Sequence, residues 1–190
     1  LYNEYFGGGM AGIVFQELRE SKALAYSTFS SYSIPQRKDR AHYNIAYIGT
    51  QSDKLPEAMS GLFGLLNDMP VSEITYNSAK DNLVQKFSTE RITKAGVLNS
   101  YLSAQKLGLN HDIRKDIYEM AKTITIDDIK KFQAENVKDS KYTIMVLGDK
   151  NKLDIETLKK YGNVKYLSLE EIFMPSRNLF RSPPFAFTCA

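Results

Sequence analysis

The sequence contains few cysteines and histidines, the residues that build disulfides, many metal sites and the common catalytic triads. Its one cysteine, Cys189, cannot form an internal disulfide or a cysteine metal cluster, and it indicates nothing firm about compartment. Its two histidines lie far apart and belong to no H-x-x-E-H or H-x-x-x-H motif. We interpret His42 as a packed or hydrogen-bonded strand residue and His111 as a surface-loop or capping residue. The residues therefore predict no complete active site and no metal site in this chain.

Long apolar runs and strong charge are also missing. No stretch approaches the roughly 18 apolar residues of a membrane-spanning helix, and the first ten residues show no signal-peptide pattern. The formal net charge is only +3 and the acidic and basic residues are interleaved, so nucleic-acid binding is not favoured. The sequence begins with Leu1 rather than Met, and we expect it to be a piece of a longer protein.

The glycines at 7–12 match G-x-G-x-x-G, the dinucleotide-binding fingerprint. That loop requires a preceding buried strand and a carboxylate about 20 residues later. Here a helical pattern precedes the loop, and the later segment STFSSYS contains no carboxylate. G-K-[ST], the mark of a P-loop, is also missing. We therefore expect the glycines to let one helix turn tightly into the next against neighbouring backbone.

The hydrophobic periodicity predicts mostly helices with a few strands. A short helical turn at 1–6 precedes a second helix with one apolar face, formed by Met10, Ile13, Val14 and Leu18. Two strands, at 24–32 and 41–50, are joined by a polar connection and predict an antiparallel hairpin.

The middle of the chain, 53–136, is predicted to be helical almost throughout. One helix, 72–91, should face inward with Ile74, Leu83, Val84 and Phe87. Thr125 and Asp128 predict a capping box for a helix running to about residue 136. The other predicted helices are 54–68, 96–107, 113–122 and 154–161.

Two further strands are predicted after the helices. The apolar run 142–147 predicts a central strand, and 164–167 predicts a short one. Together the elements indicate an α+β fold with helices on one face of an antiparallel or mixed sheet. Residues 1–173 are expected to form the domain. Residues 174–190, with three prolines and no period, are interpreted as an unstructured tail or as sequence foreign to the fold.

Arg19 and Tyr26 are the remaining candidates for chemistry. Arg19 ends the second predicted helix and Tyr26 starts the following strand, so a helix-turn-strand passage can direct both side chains into one cleft. A guanidinium and a phenol supply donors suited to a peptide carbonyl or a developing oxyanion. Spacing alone favours the structural interpretation, in which Arg19 is an exposed helix-end arginine on the macrodipole and Tyr26 is a half-buried strand tyrosine.

A family resemblance changes this weighting in favour of the functional interpretation. The segment YFGGGMAGIVFQELRESKALAYS resembles the non-catalytic C-terminal half of insulinase/pitrilysin (M16) zinc peptidases, in which a glycine-rich turn, Leu-Arg-Glu and Leu-Ala-Tyr recur. The segments VSEITYNSAKDNLVQKF and TITIDDIKKFQAENVKDSKYTIMVLGD are similar to later parts of the same domain. The resemblance covers roughly residues 1–173 and implies an M16 (LuxS/metallohydrolase-like) domain that lacks its opening strands.

The resemblance also implies a role. The zinc would lie in the N-terminal half of the same protein or in a partner subunit, and this chain itself would hold no metal or other cofactor. Arg19 would hold the backbone of a peptide substrate, and Tyr26 would donate to the tetrahedral intermediate. A periplasmic or cell-envelope location is favoured on family grounds. The alternative is a degenerate scaffold or assembly subunit that keeps the fold and has no proteolytic role.

Overall fold

The computed structural model describes residues 1–173. The prediction of an unstructured tail at 174–190 therefore lies outside the described residues. The α+β fold is confirmed: a helix-rich chain carries a two-stranded antiparallel sheet, and one face of that sheet is covered by helices.

Helical segments precede and follow the hairpin along the chain. Two short segments have the wide hydrogen-bond spacing of a π-helix, Asn3–Gly7 and Gln16–Ser21, and a single α-turn, Ile13–Phe15, leads into the second. The helices after the hairpin are Leu55–Asn67, Glu73–Thr89, Lys94–Lys106, Ile113–Thr123, Ile126–Asn136, Ile155–Tyr161 and Leu169–Phe173, with a 3₁₀ turn at Ser52–Lys54.

The predicted hairpin is confirmed, with tighter bounds. Strand β1 is Ser27–Ser33 and strand β2 is Tyr43–Gly49, and their register pairs Ser30 with Ala46. Alternate side chains point to opposite faces. Thr28 and Ser30 are buried on the helix-covered face. The opposite face is partly exposed and consists largely of Phe29, Tyr43, Ile45 and Tyr47.

The free edge of β1 is covered by the N-terminal helix, Asn3–Gly7. The Asn3 side chain donates to the carbonyl of Tyr32 at 2.9 Å and accepts from the Tyr32 amide at 2.8 Å, as a neighbouring strand would. Gly7 lies against the same edge, where an added Cβ would overlap the Ser30 carbonyl group. The predicted role of the glycines, close approach to neighbouring backbone, is confirmed at this position.

A buried polar contact fixes the N-terminal helix to the helices that follow. The Tyr2 hydroxyl donates to the side-chain oxygen of Gln133, whose amide donates to the Leu66 carbonyl at 2.5 Å. Burial raises the pKa of Tyr2, so the phenol stays a donor. The surrounding core is apolar and includes Tyr5, Phe6 and Ile129.

The helix that carries Gln133 begins with the predicted capping box. Thr125 accepts from the Asp128 amide at 3.3 Å, and the Asp128 carboxylate accepts from the Thr125 amide at 2.7 Å. The hydrogen bonds from the Thr125 side chain and backbone lower the pKa of Asp128. The cap is local, and for that reason it could be read directly from sequence.

The prediction of two further strands after the helical region is wrong. Residues 141–147 and 164–167 form no strand, and within residues 1–173 the sheet has two strands only. The first segment is anchored at its start, where the Tyr142 hydroxyl donates to the Val137 carbonyl at 3.0 Å. Further along, Met145 is 77% exposed and Leu147 is fully exposed. An apolar run indicates a buried strand only when a neighbour pairs with it and a layer covers it.

Two predicted inward positions are also corrected. Met10 is 74% exposed because the chain at 8–12 is not helical, so Ile13 begins the buried face. Ile74 is 86% exposed at the start of its helix, where Tyr76 and Ala79 supply the buried positions instead. In both cases the apolar period continues beyond the segment that the core covers.

Candidate functional site

The candidate site is the connection between the Gln16–Ser21 helix and strand β1. Leu18 is fully buried and anchors the helix. It packs against Gly61 on the helix Leu55–Asn67, where a Cβ added to Gly61 would lie 3.0 Å from a Leu18 methyl carbon. Within the connection, the Lys22 amide donates to the Glu17 carbonyl at 3.2 Å, which is the wide spacing of a π-helical turn. Such turns are often found at functional sites. The helix end is therefore held firmly from below while its outer face stays exposed.

A left-handed residue turns the chain from helix to strand. Ala23 has φ of 49°, and the Leu24 amide behind it donates to the Leu18 carbonyl at 2.8 Å. A non-glycine residue in this region costs about 1 kcal/mol, which the surrounding contacts must offset. The turn is thus set by packing rather than by a glycine.

Arg19 is in the last turn of the helix, as predicted. Its side chain is 43% exposed, and its Nε is 3.8 Å from the Glu20 carboxylate. The guanidinium carbon lies 4.8 Å from the centre of the Phe15 ring. An exposed ion pair at this distance contributes little, whereas the ring limits the directions that the guanidinium can take.

Tyr26 is directly before β1 and is 86% exposed. Its backbone amide donates to the Gly49 carbonyl at 2.8 Å, although the register sets Ser27 opposite Gly49. Two residues therefore share one partner, as in a β-bulge, a feature that redirects side chains next to functional sites. Among the described residues the phenol hydroxyl has no hydrogen-bond partner.

Both candidate residues thus lie at the two ends of one short connection, exposed and with their donors available. No hydrogen bond or ion pair joins their side chains in the described part of the chain. Their roles toward a substrate stay predictions. Phe15 is the residue that the sequence interpretation missed. Its spacing of four residues from Arg19 on a helix was the available signal.

The other sequence candidates form no site. His111 lies on the surface, with Nε2 2.6 Å from Asp116 and Nδ1 2.9 Å from Asn110. His42 is exposed just before β2, where its ring is 5.8 Å from that of Tyr32. Within residues 1–173, no group of three or more His, Cys, Asp or Glu side chains is placed to hold a metal ion. None of the helices described there is long and apolar enough to cross a membrane.

Comparison with known proteins identifies the type of domain. Residues 1–75, which include the whole connection, match the family model described as the peptidase M16 inactive domain. A crystal structure of a peptidase M16 inactive domain from Pseudomonas fluorescens is similar in fold, with a TM-score of 0.57 and 19% sequence identity. That match covers 72% of this chain and 32% of the other, so the chain spans about a third of that protein. No curated protein matches the chain. The predicted resemblance to the M16 inactive domain is confirmed over residues 1–75, and the fold as a whole is similar to that of such a domain.

Proposed function

We propose that this chain, which carries an M16 inactive-type domain, is the non-catalytic half of a zinc metalloendopeptidase and completes its substrate chamber. The family match over residues 1–75 and the similar fold support the domain type. The described residues do not fit a zinc site. In this proposal the metal belongs to the N-terminal half of the longer protein or to a partner subunit, and that half pairs with this one.

The observation that supports the proposal most is the available donor on Tyr26. A phenol that is 86% exposed, set on a bulge and without a partner among the described residues, has no evident structural role. Pointed at a peptide carbonyl, its O–H would donate to the oxygen as that oxygen becomes an oxyanion. Such a donor stabilises the transition state more than the ground state, and so it affects turnover.

Arg19 has a complementary task in this proposal. Its guanidinium offers several N–H donors in a fixed plane, and the Phe15 ring beneath it limits the directions they can take. Donation to a backbone carbonyl of an extended peptide would hold the substrate in register, next to the bond that is cut. This contact exists before and during the reaction, so it acts mainly on substrate affinity.

The test uses the full-length parent protein and a peptide substrate. Tyr26→Phe should lower kcat by about 10²–10³, the usual cost of one oxyanion donor. Arg19→Ala should mainly raise KM. The matched controls are Tyr166→Phe and Arg37→Ala, both exposed and remote in sequence from the connection, and both should leave activity unchanged.

The alternative function is separated by the same measurements. Near-wild-type turnover in both variants would contradict the assigned roles. A parent protein without any peptidase activity would indicate the scaffold or assembly function instead. For the 190-residue chain alone we expect no peptide hydrolysis and no stoichiometric zinc. Elemental analysis that finds one zinc per chain would contradict this division of labour between the halves.

A further inference from the structure

The outer face of the hairpin, opposite the helices, continues as far as the candidate site. Ala25 and Thr28 are both buried, and the two residues between them, Tyr26 and Ser27, are both exposed. In an unbroken strand successive side chains alternate between the faces, so the bulge at Tyr26 leaves two successive residues outward. Tyr26 therefore emerges on the same side of the sheet as Phe29.

Phe29 and Tyr47, here called the aromatic pair, lie directly opposite each other on this outer face. Their ring centres are 5.5 Å apart and the ring planes are inclined by 25°. Two stacked rings offer an apolar surface against which a further ring or aliphatic group packs well. Neither strand carries a charged side chain. The aromatic pair is therefore suited to a large apolar group and not to a charged one.

The Tyr47 ring is directed along the sheet toward the candidate site. A Cβ added to Gly49 would lie 2.8 Å from the Tyr47 hydroxyl oxygen, so the ring extends over the next two residues, about 7 Å of strand. Gly49 is also the residue whose carbonyl accepts from the Tyr26 amide at 2.8 Å. A side chain at position 49 would push the ring away, so the glycine keeps Tyr47 close to the backbone that sets Tyr26.

One small residue separates Tyr26 from the aromatic pair. Ser27 is exposed and lies opposite Gly49, and we call the space above it the Ser27 gap. Tyr26 precedes this gap and the Phe29 ring follows it along the strand. Extended chains advance by about 3.3 Å per residue. An extended peptide whose carbonyl meets the Tyr26 phenol therefore has an adjoining side chain within reach of the gap.

We propose that the aromatic pair and the Ser27 gap bind a large apolar side chain, preferably an aromatic one, next to the bond that is cut. The proposal rests on the proposed function, in which the Tyr26 phenol donates to the carbonyl of that bond. It adds the substrate class, which is peptides with an aromatic or large aliphatic residue beside the bond. Phe29 and Tyr47 determine specificity in this arrangement, and neither touches the reacting atoms.

Cleavage kinetics of the full-length parent protein test the proposal. The peptides differ in one residue, which is phenylalanine, leucine, alanine or glutamate, placed in turn on each side of the bond that is cut. At one of these two positions, kcat/KM of the wild type should be about tenfold higher or more for phenylalanine than for alanine or glutamate. Phe29→Ala should lower kcat/KM for the phenylalanine peptide more than for the alanine peptide, so that the ratio falls to about two.

Matched variants separate binding of the side chain from general damage to the sheet. Tyr47→Phe keeps the ring and should keep the preference, whereas Tyr47→Ala should lose it. Tyr43→Ala removes a ring from the same face at the far end of the hairpin and should leave the ratio unchanged. Ser27→Leu deletes no ring and fills the gap, so it should also lower the ratio about tenfold. Circular dichroism checks that each variant is folded.

The outcomes separate this inference from the proposed function. Equal cleavage of the phenylalanine and alanine peptides by the wild type, or a ratio that survives in Phe29→Ala, Tyr47→Ala and Ser27→Leu, would overturn the inference and leave the role of Tyr26 intact. Turnover that is insensitive to Tyr26→Phe, together with a ratio that falls in Phe29→Ala, would overturn the role of Tyr26 and support the apolar site. A parent protein without peptidase activity would overturn both.

Discussion

The two edges of the small sheet differ in whether their backbone groups are covered. Along β1, one asparagine side chain and one glycine of the N-terminal helix cover the backbone. Along β2, alternate backbone groups meet no other strand within residues 1–173. Both strands are short and neither carries a charge. The difference teaches that edge protection here comes from the N-terminal helix and not from the composition of the strands.

The largest effect is expected from filling the space that closes the β1 edge. Gly7→Ala would place a methyl group in the space taken by the Ser30 carbonyl, so the helix must move off the strand. We expect a loss of about 3 kcal/mol in the free energy of unfolding, measured with urea. The control is Gly64→Ala, which lies inside a helix and whose added methyl group would meet no neighbouring segment within 4 Å. It should raise the free energy of unfolding by about 0.5–1 kcal/mol. Equal effects in the two variants would contradict the closed edge.

A smaller effect should follow from releasing the same helix at its other contact. Gln133→Leu leaves the buried Tyr2 hydroxyl and Leu66 carbonyl without partners, and we expect a loss of about 2 kcal/mol. Adding Tyr2→Phe removes one of those unpaired groups and should recover part of the loss. A double-mutant cycle by urea unfolding measures the coupling. Strict additivity of the two changes would show that the contact is not formed.

The asparagine itself contributes less because it is exposed. Asn3→Ala removes both hydrogen bonds to Tyr32 and should cost about 1–2 kcal/mol. Asn3→Asp keeps the acceptor and loses the donor, so about half of that loss is expected. The sharper measurement is amide hydrogen exchange at Tyr32, which should quicken in Asn3→Ala and stay slow in Asn3→Asp. Unchanged exchange in both variants would remove Asn3 from the account of edge protection.

The smallest effect concerns the exposed face that the two strands share. The Phe29 and Tyr47 rings stack with centres 5.5 Å apart, and both are about half-exposed. Phe29→Ala should cost about 1 kcal/mol or less in thermal or urea unfolding. Ile45→Ala removes an aliphatic side chain from the same face, leaves the Phe29–Tyr47 ring pair in place and serves as the control. A larger loss for Ile45→Ala would place the packing of this face elsewhere.

What could be predicted from sequence was local. The capping box at Thr125 and Asp128 and the long helices depend on residues within a few positions of one another, and each was found. The hairpin was found as well, because its two strands follow each other directly in the chain. Arg19 was correctly placed at a helix end for the same reason. The closeness of Gly7 to backbone was also predicted, although its partner, Ser30, was not.

What could not be predicted depends on distant partners. The run 142–147 has the composition of a central strand, but no strand of residues 1–173 pairs with it. Asn3 gave no signal in the sequence because its partner, Tyr32, is 29 positions away. The bulge that exposes Tyr26 arises from its bond to Gly49, which spacing within the helix-turn-strand passage does not reveal. Each miss concerns a contact between segments rather than a preference within one.

The left-handed Ala23 makes the candidate site unusually selective toward mutation. Glycine, asparagine and aspartate adopt this backbone region most readily, whereas valine, isoleucine and threonine do so with difficulty. A library of all substitutions at position 23, sorted for folded protein, should therefore retain the first group and lose the second, even though the position is exposed. Position 22, next to it in a helical conformation, should tolerate nearly everything. The φ angle of residue 23 thus decides which variants of this sequence keep Arg19 and Tyr26 at the two ends of the same turn.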